Sequence, residues 1–397
     1  MKRHRRIADW LEAHWVTPAY SGWLLVGLAI FFFIAGANTL SGWLYVLSGI
    51  GIALSAIAAI LPRRTLRQLT LRRGPIHPVS AGDVLSVELM VENLTARPKT
   101  LLQVQDLLPA TLGGSKTHAI EVIPPHKTHH WLYEQPTEQR GVYRWQTVYL
   151  RTANPLGLFW GRRTETVKAK AIVYPLVLPL GQCPLIDEMG QDQSLLFNND
   201  RRAQAATEGL TRSLRPYRWG DPTRFVHWRS SARYNELRVR ELEIFTGGQE
   251  LVIGLDSGGA WATEPDTPID DQPFEAAVIA AASLYFYACH HSLNAKLWTA
   301  ATGLVQGNQV VLETLAATQP GEPTRDRTLP TAPMVWLTQN SLSLGTLPRG
   351  SRWILWPGVS AEGAIQPAKR QVSQSLGLTL SRDRPLQAQL QLPPTVL

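Results

Sequence analysis

The stretch around which the chain is organised is Arg212-Ser-Leu-Arg215-Pro-Tyr217-Arg-Trp-Gly220-Asp221-Pro-Thr-Arg224-Phe-Val-His227-Trp228-Arg-Ser-Ser-Ala-Arg233, which runs on into Leu237-Arg-Val-Arg240-Glu-Leu-Glu243. We call residues 212–243 the arginine-rich signature. Eight arginines and no lysine fall between residues 212 and 240. A guanidinium group is planar and makes fixed, multi-donor contacts that a flexible ammonium does not make. The chemistry of this stretch is therefore expected to decide how the soluble part of the chain is built.

The charge of the signature is balanced by the segment that follows it. Residues 212–240 carry eight arginines against Asp221 and Glu236, a net charge of +6, whereas residues 241–275 carry nine acidic residues and no basic one. Adjacent blocks of opposite sign most simply neutralise each other within a fold. A structural network of ion pairs and hydrogen bonds is therefore the favoured interpretation. A protein docking surface and an active site are the alternatives.

The signature also contains side chains that catalysis would use. Asp221 and His227 could orient each other as an acid–base pair, and the arginines could clamp a phosphate or a carboxylate. No nucleophile or second carboxylate stands at a motif spacing from them, so we predict no catalytic residue, no cofactor and no enzymatic activity. Trp219, Phe225 and Trp228 would either pack the stretch onto a core or serve as aromatic anchors at an interface.

The signature resembles that of a bacterial family. From Arg215 to Arg233 it follows the pattern Arg-Pro-Tyr-Arg-x-Gly-Asp-x-x-Arg-x-x-His-Trp-x-x-Ser-Ala-Arg, which is similar to the signature of the family known as domain of unknown function 58. Three earlier segments resemble those that precede the signature in that family: Arg140-Gly-Val-Tyr, Asn154-Pro-Leu-Gly-Leu-Phe159 and Val173-Tyr-Pro175. The resemblance implies architecture and partners but no established reaction.

The resemblance also implies which partners to expect. Relatives are commonly associated with MoxR-type AAA ATPases and sometimes with transglutaminase-like membrane proteins. We therefore expect a scaffold or adaptor that engages a protein partner, with an enzyme or small-ligand binder for a phosphate or carboxylate as the alternative. Dimerisation through an exposed edge strand is a third alternative. The candidate binding residues are Arg215, Tyr217, Gly220, Asp221, Arg224, His227, Trp228 and Arg233.

The N-terminal segment, residues 1–73, is predicted to be a transmembrane hairpin with basic flanks. From Ala13 to Pro62 there are fifty consecutive residues without Asp, Glu, Lys or Arg. A helix needs about 20 residues to cross the hydrocarbon core of a bilayer. Two helices joined by a tight turn fit this length, and residues 19–61 would contact the lipid bilayer.

The basic residues predict the orientation of this hairpin. Four precede the first span, five follow the second within residues 63–73, and the turn has none. Because basic residues concentrate on the cytoplasmic side, we predict a multi-pass protein of the inner membrane with both termini in the cytoplasm. A cleaved signal peptide is the alternative, since Ala35-Gly-Ala37 mimics a cleavage site. A second full span follows at once, which favours the hairpin.

Charge and cysteine content exclude other classes of protein. The whole chain has a net charge of +8, of which residues 1–73 carry +7. The rest has no basic field that would attract nucleic acid, so no nucleic-acid partner is expected. Cys183 and Cys289 lie far apart without a CxxC or zinc-ligand spacing. The sequence therefore predicts neither a disulfide framework nor a structural metal.

Residues 75–180 have the pattern of a β-sandwich-like domain. Alternate residues from Leu85 to Val91 are apolar, which is the period of a half-buried strand. Similar short runs follow, separated by Pro, Gly and Asn, at a spacing that favours a sandwich or a small barrel. The three histidines of residues 126–130 are predicted to lie in a solvated loop, because no carboxylate or cysteine accompanies them at metal-ligand spacing.

Residues 181–243 are predicted to be a polar connector followed by the signature, and residues 244–397 an α/β domain. Glu250-Leu-Val-Ile-Gly-Leu-Asp256 is a short apolar run that closes on an aspartate, which is typical of a buried parallel strand. Helical and extended patterns then alternate. They predict a doubly wound sheet, whose ligands bind at the carboxyl ends of the strands. The expected fold is therefore multidomain: helical hairpin, β-rich middle and C-terminal α/β domain.

The α/β pattern resembles a von Willebrand factor type A domain, which places an Asp-x-Ser-x-Ser metal site after its first strand. The aligned residues here are Asp256, Gly258 and Ala260, so the aspartate is present and both hydroxyls are missing. Thr338-Gln-Asn340 stands where Thr-Asp would be expected. Magnesium requires several oxygen ligands, so we predict no metal site, with Asp256 structural or vestigial. A weak site that a partner completes is the alternative.

Overall fold

In a computed structural model of the chain, the apolar segment near the N-terminus forms two helices. Helix α1 comprises Tyr20–Thr39 and helix α2 comprises Gly42–Thr65. Leu40 lies between them in the left-handed conformation, with a φ of 54°. Both helices are long and apolar enough to cross a membrane. The prediction of two apolar helices is confirmed.

The structure describes residues 16–189, 210–216, 226–234, 236–243, 250–262, 272–324, 330–357, 376–381 and 383–396. The chain divides into two units, each with its own internal contacts. Unit 1 comprises residues 1–175 and unit 2 comprises residues 176–397.

Small residues line the contact between α1 and α2. A side chain at Gly51 would meet the Cβ of Ala29 at 2.9 Å, so the two backbones approach closely, as they do in many membrane helix pairs. Large apolar side chains cover the outside: Trp23, Phe31 and Ile34 are 61–66% exposed. An apolar outer surface of this kind fits a lipid environment.

The rest of unit 1 is built from β-strands: β1 Thr17–Pro18, β2 Leu69–Arg73, β3 Val79–Ser80, β4 Val84–Asn93, β5 Lys99–Leu107, β6 Ser115–Ile123, β7 Thr128–Pro136, β8 Gly141–Thr152 and β9 Phe159–Tyr174. One sheet has the order β2-β4-β7 and the other the order β1-β9-β8-β5-β6, with β3 beside β9. Both sheets contribute side chains to one hydrophobic core. Leu85 and Val91, which were expected on the inward face, are fully buried in it.

A buried ion pair joins the two sheets inside this core. Asp106 of β5 binds Arg73 of β2, with Arg73 Nη2 3.1 Å from Asp106 Oδ1, and their side chains are 0% and 3% exposed. The Tyr133 hydroxyl donates to Asp106 Oδ2 at 2.7 Å, and the Trp145 indole N–H donates to Oδ1 at 3.1 Å. Burial, and then the neighbouring Asp106 charge, raises the pKa of Tyr133. The carboxylate therefore has donors from both sheets.

This ion pair corrects the sequence interpretation of Arg73. Counting it among the basic residues that flank the membrane is wrong, because its guanidinium lies in the β-core. Arg72, the preceding residue, has a side chain that is 72% exposed. Arg63, Arg64 and Arg67 are also exposed and lie at the end of α2 or just after it.

The described part of unit 2 contains a small hairpin and a larger sheet. The hairpin pairs β10 Leu210–Pro216 with β11 Arg238–Glu243, and helix α3 Trp228–Tyr234 lies between them in the chain. The strands of the larger sheet are β12 Glu250–Leu255, β13 Asn294–Thr299, β14 Gly303–Val305, β15 Met334–Thr338, β16 Arg352–Leu355, β17 Leu376–Thr379 and β18 Thr395–Val396.

The larger sheet has the order β14-β13-β12-β15-β16-β17-β18. Its five inner strands are parallel, and the edge strands β14 and β18 run antiparallel to their neighbours. The first strand of the sheet in the chain, β12, therefore lies inside the sheet, third of seven, and the chain order reverses between β12 and β15. Doubly wound sheets have such an order and carry helices on both faces. Among the described residues, the helices that follow β12 contribute to the core on one face only.

The helices that follow β12 contribute to the core on one face of this sheet. They are α4 Pro273–His290, α5 Asn308–Ala317 and α6 Leu386–Leu390. Between β15 and β16 the chain makes a short 3-10 turn, Ser341–Thr346, in place of a helix. Gly345 and Pro348 lie in or just after this turn and disfavour a longer helix there.

A row of tryptophans and glycines crosses the other face of the sheet. Directly opposite residues on neighbouring strands are Trp298, Gly254, Trp336, Trp353 and Gly377. The rings of Trp298 and Trp336 approach to 5.3 Å, and a Cβ at Gly254 would meet Trp336 Cε3 at 2.5 Å. Gly377 likewise leaves room for Trp353, which is fully buried. The close approach of the indole rings requires these two glycines.

Replacing Asp106 with alanine is expected to destabilise the protein by about 3–5 kcal/mol, because Arg73 would keep its charge in the core without a carboxylate. Chemical denaturation of the full-length protein in detergent measures this loss. The double variant Arg73→Met/Asp106→Leu removes the unpaired charge and is expected to recover part of the loss. It should not recover all of it, because the buried Tyr133 hydroxyl and Trp145 indole N–H still lack the acceptor that Asp106 supplies. Glu92→Ala, which removes the exposed partner of Arg72, should cost less than about 1 kcal/mol. Equal losses for Asp106→Ala and Glu92→Ala would contradict the importance of the buried pair.

Candidate functional site

The structure describes part of the arginine-rich signature. Arg215 lies in β10 opposite Val239 of β11, and Val226 forms an isolated bridge to Val239. Arg233 lies in α3. Among the signature candidates, the structure describes the side chains of His227 and Trp228. Four candidates lie outside the described residues: Tyr217, Gly220, Asp221 and Arg224.

His227 caps the N-terminus of α3. Its Nδ1 accepts a hydrogen bond from the Ser230 amide at 3.2 Å and lies 2.7 Å from Ser230 Oγ. The first amides of a helix have no partner within the helix, and a capping side chain supplies one. The His227 amide donates to the Arg238 carbonyl oxygen at 2.8 Å. His227 therefore joins α3 to β11, a role that the sequence did not indicate because histidine is not a preferred cap.

Ser231 strengthens the same connection. Its hydroxyl donates to the His227 carbonyl oxygen at 3.1 Å and accepts from the Arg238 amide at 2.9 Å. Ser231 is buried. The serine of the Ser-Ala-Arg end of the signature thus holds α3 against the following strand.

Trp228, the first residue of α3, is on the surface. Its side chain is 66% exposed. We expected this indole either to pack onto a core or to anchor a partner, and its exposure favours the second role. Arg238 Nη2 lies 4.0 Å from Glu236 Oε2, a loose pair of the kind that contributes little to stability. The described part of the signature therefore presents an aromatic side chain to its surroundings.

A second candidate site lies at the carboxyl ends of β12 and β15. Asp256 follows β12 directly, and Thr338 is the last residue of β15. The strand order reverses between these two neighbours, with β13 on one side and β16 on the other. Doubly wound sheets bind their ligands in the crevice at such a switch point. Asp256 therefore occupies the position at which the topology predicts a ligand or a partner.

Thr338 holds the carboxylate of Asp256. Its Oγ1 donates to Asp256 Oδ2 at 2.6 Å and accepts from the Asn340 amide at 2.9 Å. Trp261 Nε1 donates to the Asp256 carbonyl oxygen at 2.7 Å. Burial raises the pKa of Asp256, and hydrogen bonds from Thr338 and Gly259 oppose that rise. An ionised carboxylate in this place costs folding free energy, which is typical of functional sites.

Loops from several strand ends meet around Asp256. The Gln339 side chain joins them, because its Oε1 accepts from the Ala262 amide at 2.7 Å and its Nε2 donates to the Pro357 carbonyl oxygen at 3.0 Å. Leu342, in the 3-10 turn after β15, is 79% exposed. The sequence pattern indicated Gln339 only as a departure from a metal-site motif and did not indicate Leu342, although both closely follow the strand that ends at Thr338. The site therefore combines a half-buried carboxylate with an exposed apolar side chain.

The residues around Asp256 do not fit a magnesium ion. A side chain at Gly258 would meet Thr324 Oγ1 at 3.0 Å and Ala300 Cβ at 3.1 Å, so a serine there would require its neighbours to shift. In the part of the chain that the structure describes, no three His, Cys, Asp or Glu side chains form a metal-binding group. Magnesium prefers several oxygen ligands, and here Thr338 occupies one carboxylate oxygen instead.

The histidines of residues 126–130 do not all lie in a loop, which corrects the prediction for His129 and His130. Both lie in β7. His130 Nδ1 is 2.8 Å from Glu88 Oε1 on the neighbouring strand β4, so strand pairing supplies the carboxylate that sequence spacing did not show. His129 Nε2 is 3.3 Å from His118 Nε2. Burial, followed by the charges of His118 and His130, lowers the pKa of His129.

Comparisons with known proteins add no functional argument. The sequence matches no protein-family model and no curated protein. The CARDB domain of the PF1109 protein from Pyrococcus furiosus is 15% identical, with a TM-score of 0.18, over 25% of this chain and 86% of that one. The alkylpurine DNA glycosylase AlkC of Pseudomonas fluorescens is 14% identical, with a TM-score of 0.17, over 41% of this chain and 51% of that one. Similarity this low supports neither a fold nor an activity.

Replacing His227 with alanine is expected to loosen α3, because the Ser230 amide would lose its side-chain acceptor and keep only the His227 carbonyl oxygen at 3.0 Å. The expected cost is about 1 kcal/mol. Hydrogen exchange of the amides of residues 229–232 measures this local effect, and exchange about fivefold faster is expected. His227→Asn keeps a capping acceptor and is the matched control, for which near-parental exchange is expected. Unchanged exchange in the alanine variant would show that His227 is not the cap.

Replacing Asp256 with asparagine is expected to leave the melting temperature at pH 7 unchanged or higher. Because the pKa of Asp256 is raised in the folded protein, the protonated side chain stabilises the fold. This contribution is complete below the ordinary pKa of about 3.9 and is lost as the pH rises through the pKa of the folded state. Asparagine keeps an acceptor for Thr338 without the charge. The advantage of the variant should therefore disappear below about pH 4.

Thermal unfolding of the full-length protein between pH 4 and pH 8 tests this expectation for Asp256. Asp256→Ala is the companion variant, and it should cost about 1–3 kcal/mol because the buried Thr338 hydroxyl loses its acceptor. A marked loss of stability in the asparagine variant at pH 7 would instead mean that the negative charge itself stabilises the fold.

Proposed function

We propose that the chain is a membrane-anchored, cytosol-facing scaffold or adaptor that engages a protein partner, with a MoxR-type AAA ATPase as the candidate partner. The proposal includes membership of the domain of unknown function 58 family, a β-sandwich-like middle domain and a C-terminal domain similar to von Willebrand factor type A. The signature pattern from Arg215 to Arg233 supports the family membership. The two sheets that share one core in unit 1 and the strand order of the large sheet in unit 2 support the two domain assignments.

The exposure of Trp228 is the observation that carries the partner proposal. An indole that is 66% exposed on the first turn of α3 contributes little to the core, and tryptophan is among the residues that most often dominate binding energy at protein interfaces. His227 and Ser231 hold α3 in place beneath it. The signature residues Arg215, Tyr217, Gly220, Asp221, Arg224 and Arg233 are proposed as further binding residues on the sequence pattern alone.

A second observation supports a protein partner for unit 2. Asp256 lies at the switch point of the sheet with its carboxylate half-buried, and the exposed Leu342 lies in the next loop along the sheet. A charged group and an exposed apolar side chain on neighbouring loops of the sheet fit a protein interface better than a small-molecule cleft. We therefore include Asp256 and Leu342 in the proposed docking region of unit 2.

The location of the protein is proposed from its helices and basic residues. Two apolar helices lie near the N-terminus, and Arg63, Arg64 and Arg67 are exposed after the second one. Four further basic residues precede the first helix. Basic residues at both ends and none in the turn favour the inner membrane with both termini in the cytoplasm.

Crosslinking pull-down of the full-length protein from its own membranes, followed by mass spectrometry, tests the proposed adaptor. The parent protein is expected to recover an AAA ATPase, and Trp228→Ala is expected to reduce that recovery at least tenfold, as loss of an interface anchor would. Leu304→Ala is the matched control, since Leu304 is also an exposed apolar residue of unit 2, and it should recover the ATPase as the parent does.

Two outcomes would contradict the adaptor proposal. One is equal recovery of the ATPase with Trp228→Ala, which would remove Trp228 from the interface. The other is no specific partner with the parent. In that case a panel of phosphate, citrate and nucleotides would be tested for a concentration-dependent rise in melting temperature, the behaviour expected of a small-ligand binder.

A further inference from the structure

We infer that the turn between β8 and β9, residues 153–158, lies in the headgroup region of the bilayer and that arginines beside it bind anionic phospholipids. The inference rests on the membrane anchoring in the proposed function and adds a lipid-binding surface to it. We call this surface the lipid collar. It comprises the β8–β9 turn together with Arg64, Arg67, Arg151 and Arg162.

The β8–β9 turn packs against the first turn of α1. The Ala19 amide donates to the Leu158 carbonyl oxygen at 2.8 Å, and the Ser21 hydroxyl donates to the Gly157 carbonyl oxygen at 3.1 Å. A Cβ at Gly22 would collide with the Leu158 carbonyl oxygen, so the two backbones touch without a side chain between them. Because the apolar span of α1 begins here, the turn lies at the level at which that span enters a bilayer.

Helix α2 fixes the same end of β9. A Cβ at Gly161 would meet the Cβ of Pro62 at 2.9 Å. Arg163 Nη1 donates to the carbonyl oxygens of Leu66 and Leu69 at 2.9 Å and 3.2 Å. The start of β9 is therefore held between the beginning of α1 and the end of α2. The two helices set its height relative to the membrane.

The turn exposes an apolar side chain, and half-buried aromatic residues carry arginines on the strands beside it. Leu156, in the turn, is 44% exposed. The guanidinium of Arg151 lies 5.3 Å from the Trp160 ring, and that of Arg162 lies 4.5 Å from the Tyr149 ring. Tryptophan and tyrosine concentrate at membrane–water interfaces, and an apolar residue at this level gains free energy by entering the acyl boundary.

The charge around the turn is positive. Residues 141–164 contain four arginines and no acidic residue, and residues 13–82 contain no acidic residue. Arg64 and Arg67 are exposed at the end of α2. A strand rises about 3.3 Å per residue, so Arg162 lies about 7 Å along β9 from Trp160. A lipid headgroup at the level of Trp160 would therefore lie within the screening length of the Arg162 charge, which is about 8 Å at physiological salt. Basic residues this close to a bilayer attract anionic lipids.

A fluorophore attached through cysteine to position 156 measures the depth of the turn. The full-length Cys289→Ser protein is the background, because Cys183 is buried. Leu156→Cys is compared with Glu138→Cys, which lies beyond the other end of β8, a strand of 12 residues that spans about 40 Å. Each labelled protein is reconstituted into liposomes that contain phospholipid with a nitroxide on an upper acyl carbon. Quenching at position 156 is expected to exceed that at position 138 severalfold.

The same label tests the preference for anionic lipid. Phosphatidylglycerol and phosphatidylcholine carrying the same nitroxide are used in turn, and phosphatidylglycerol is expected to quench position 156 about two- to fivefold more strongly. Arg64→Gln/Arg67→Gln should bring this ratio towards one. Raising the salt concentration to about 0.5 M should do the same, because salt screens contacts between exposed charges. Arg349→Gln/Arg384→Gln, a pair of exposed arginines in unit 2, is the matched control and should keep the ratio.

The outcomes separate this inference from the proposed function. Equal quenching at positions 156 and 138, in protein that still floats with the liposomes, would overturn the position of the turn and leave the anchoring intact. A ratio of one in the parent would overturn the preference for anionic lipid. Inorganic phosphate at millimolar concentration should not change the ratio, and a loss of the ratio would identify a phosphate site instead of a lipid surface. Protein that fails to float would contradict the anchoring itself.

Discussion

Unit 1 depends on a carboxylate that has no exposure to water. Asp106 receives donors from Arg73 and Tyr133 of one sheet and from Trp145 of its own sheet. A buried charge without its partner is strongly destabilising, so the sheets can close in the register that brings these groups together and not in others. Because β2 begins four residues after α2 ends, the same ion pair also anchors the chain where it leaves the helical hairpin. The core and the hairpin therefore meet at a fixed place, on which the inferred lipid collar relies.

Much of this architecture could be predicted from the sequence because it follows from long, repeated patterns. An apolar stretch of fifty residues without a charge determines two helices by length alone. Alternation from Leu85 to Val91 determines which side chains face the core, and all of that set is buried. The run that ends at Asp256 gave a buried parallel strand with an aspartate at its carboxyl end, which is where the switch point of the sheet lies. Patterns of this kind involve residues that are close in the sequence.

The rest could not be predicted because it depends on residues that are distant in the sequence. Arg73 resembles the other arginines after the hairpin, and its pairing with Asp106 depends on the register of two sheets. His227 has two plausible roles in sequence, and only the position of the Ser230 amide shows that it caps a helix. The Asp256 site is similar: the hydrogen bond from Thr338 crosses 82 residues of chain. For Tyr217, Gly220, Asp221 and Arg224, which lie outside the described residues, the sequence pattern remains the whole argument.

The row of indoles and glycines on the large sheet has a consequence for how this sequence can vary. Gly254 lies opposite Trp336, and Gly377 lies opposite Trp353, so each large ring occupies the space that a glycine leaves. A slip of one residue between β16 and β17 would bring Trp353 opposite a residue with a side chain, and it would also turn one strand over. Each indole therefore fits only in the register that places it opposite a glycine, so these pairs favour the correct strand alignment. Over evolutionary time the members of each pair should change together, so that a homologue with a larger residue in place of Gly377 would carry a smaller one in place of Trp353.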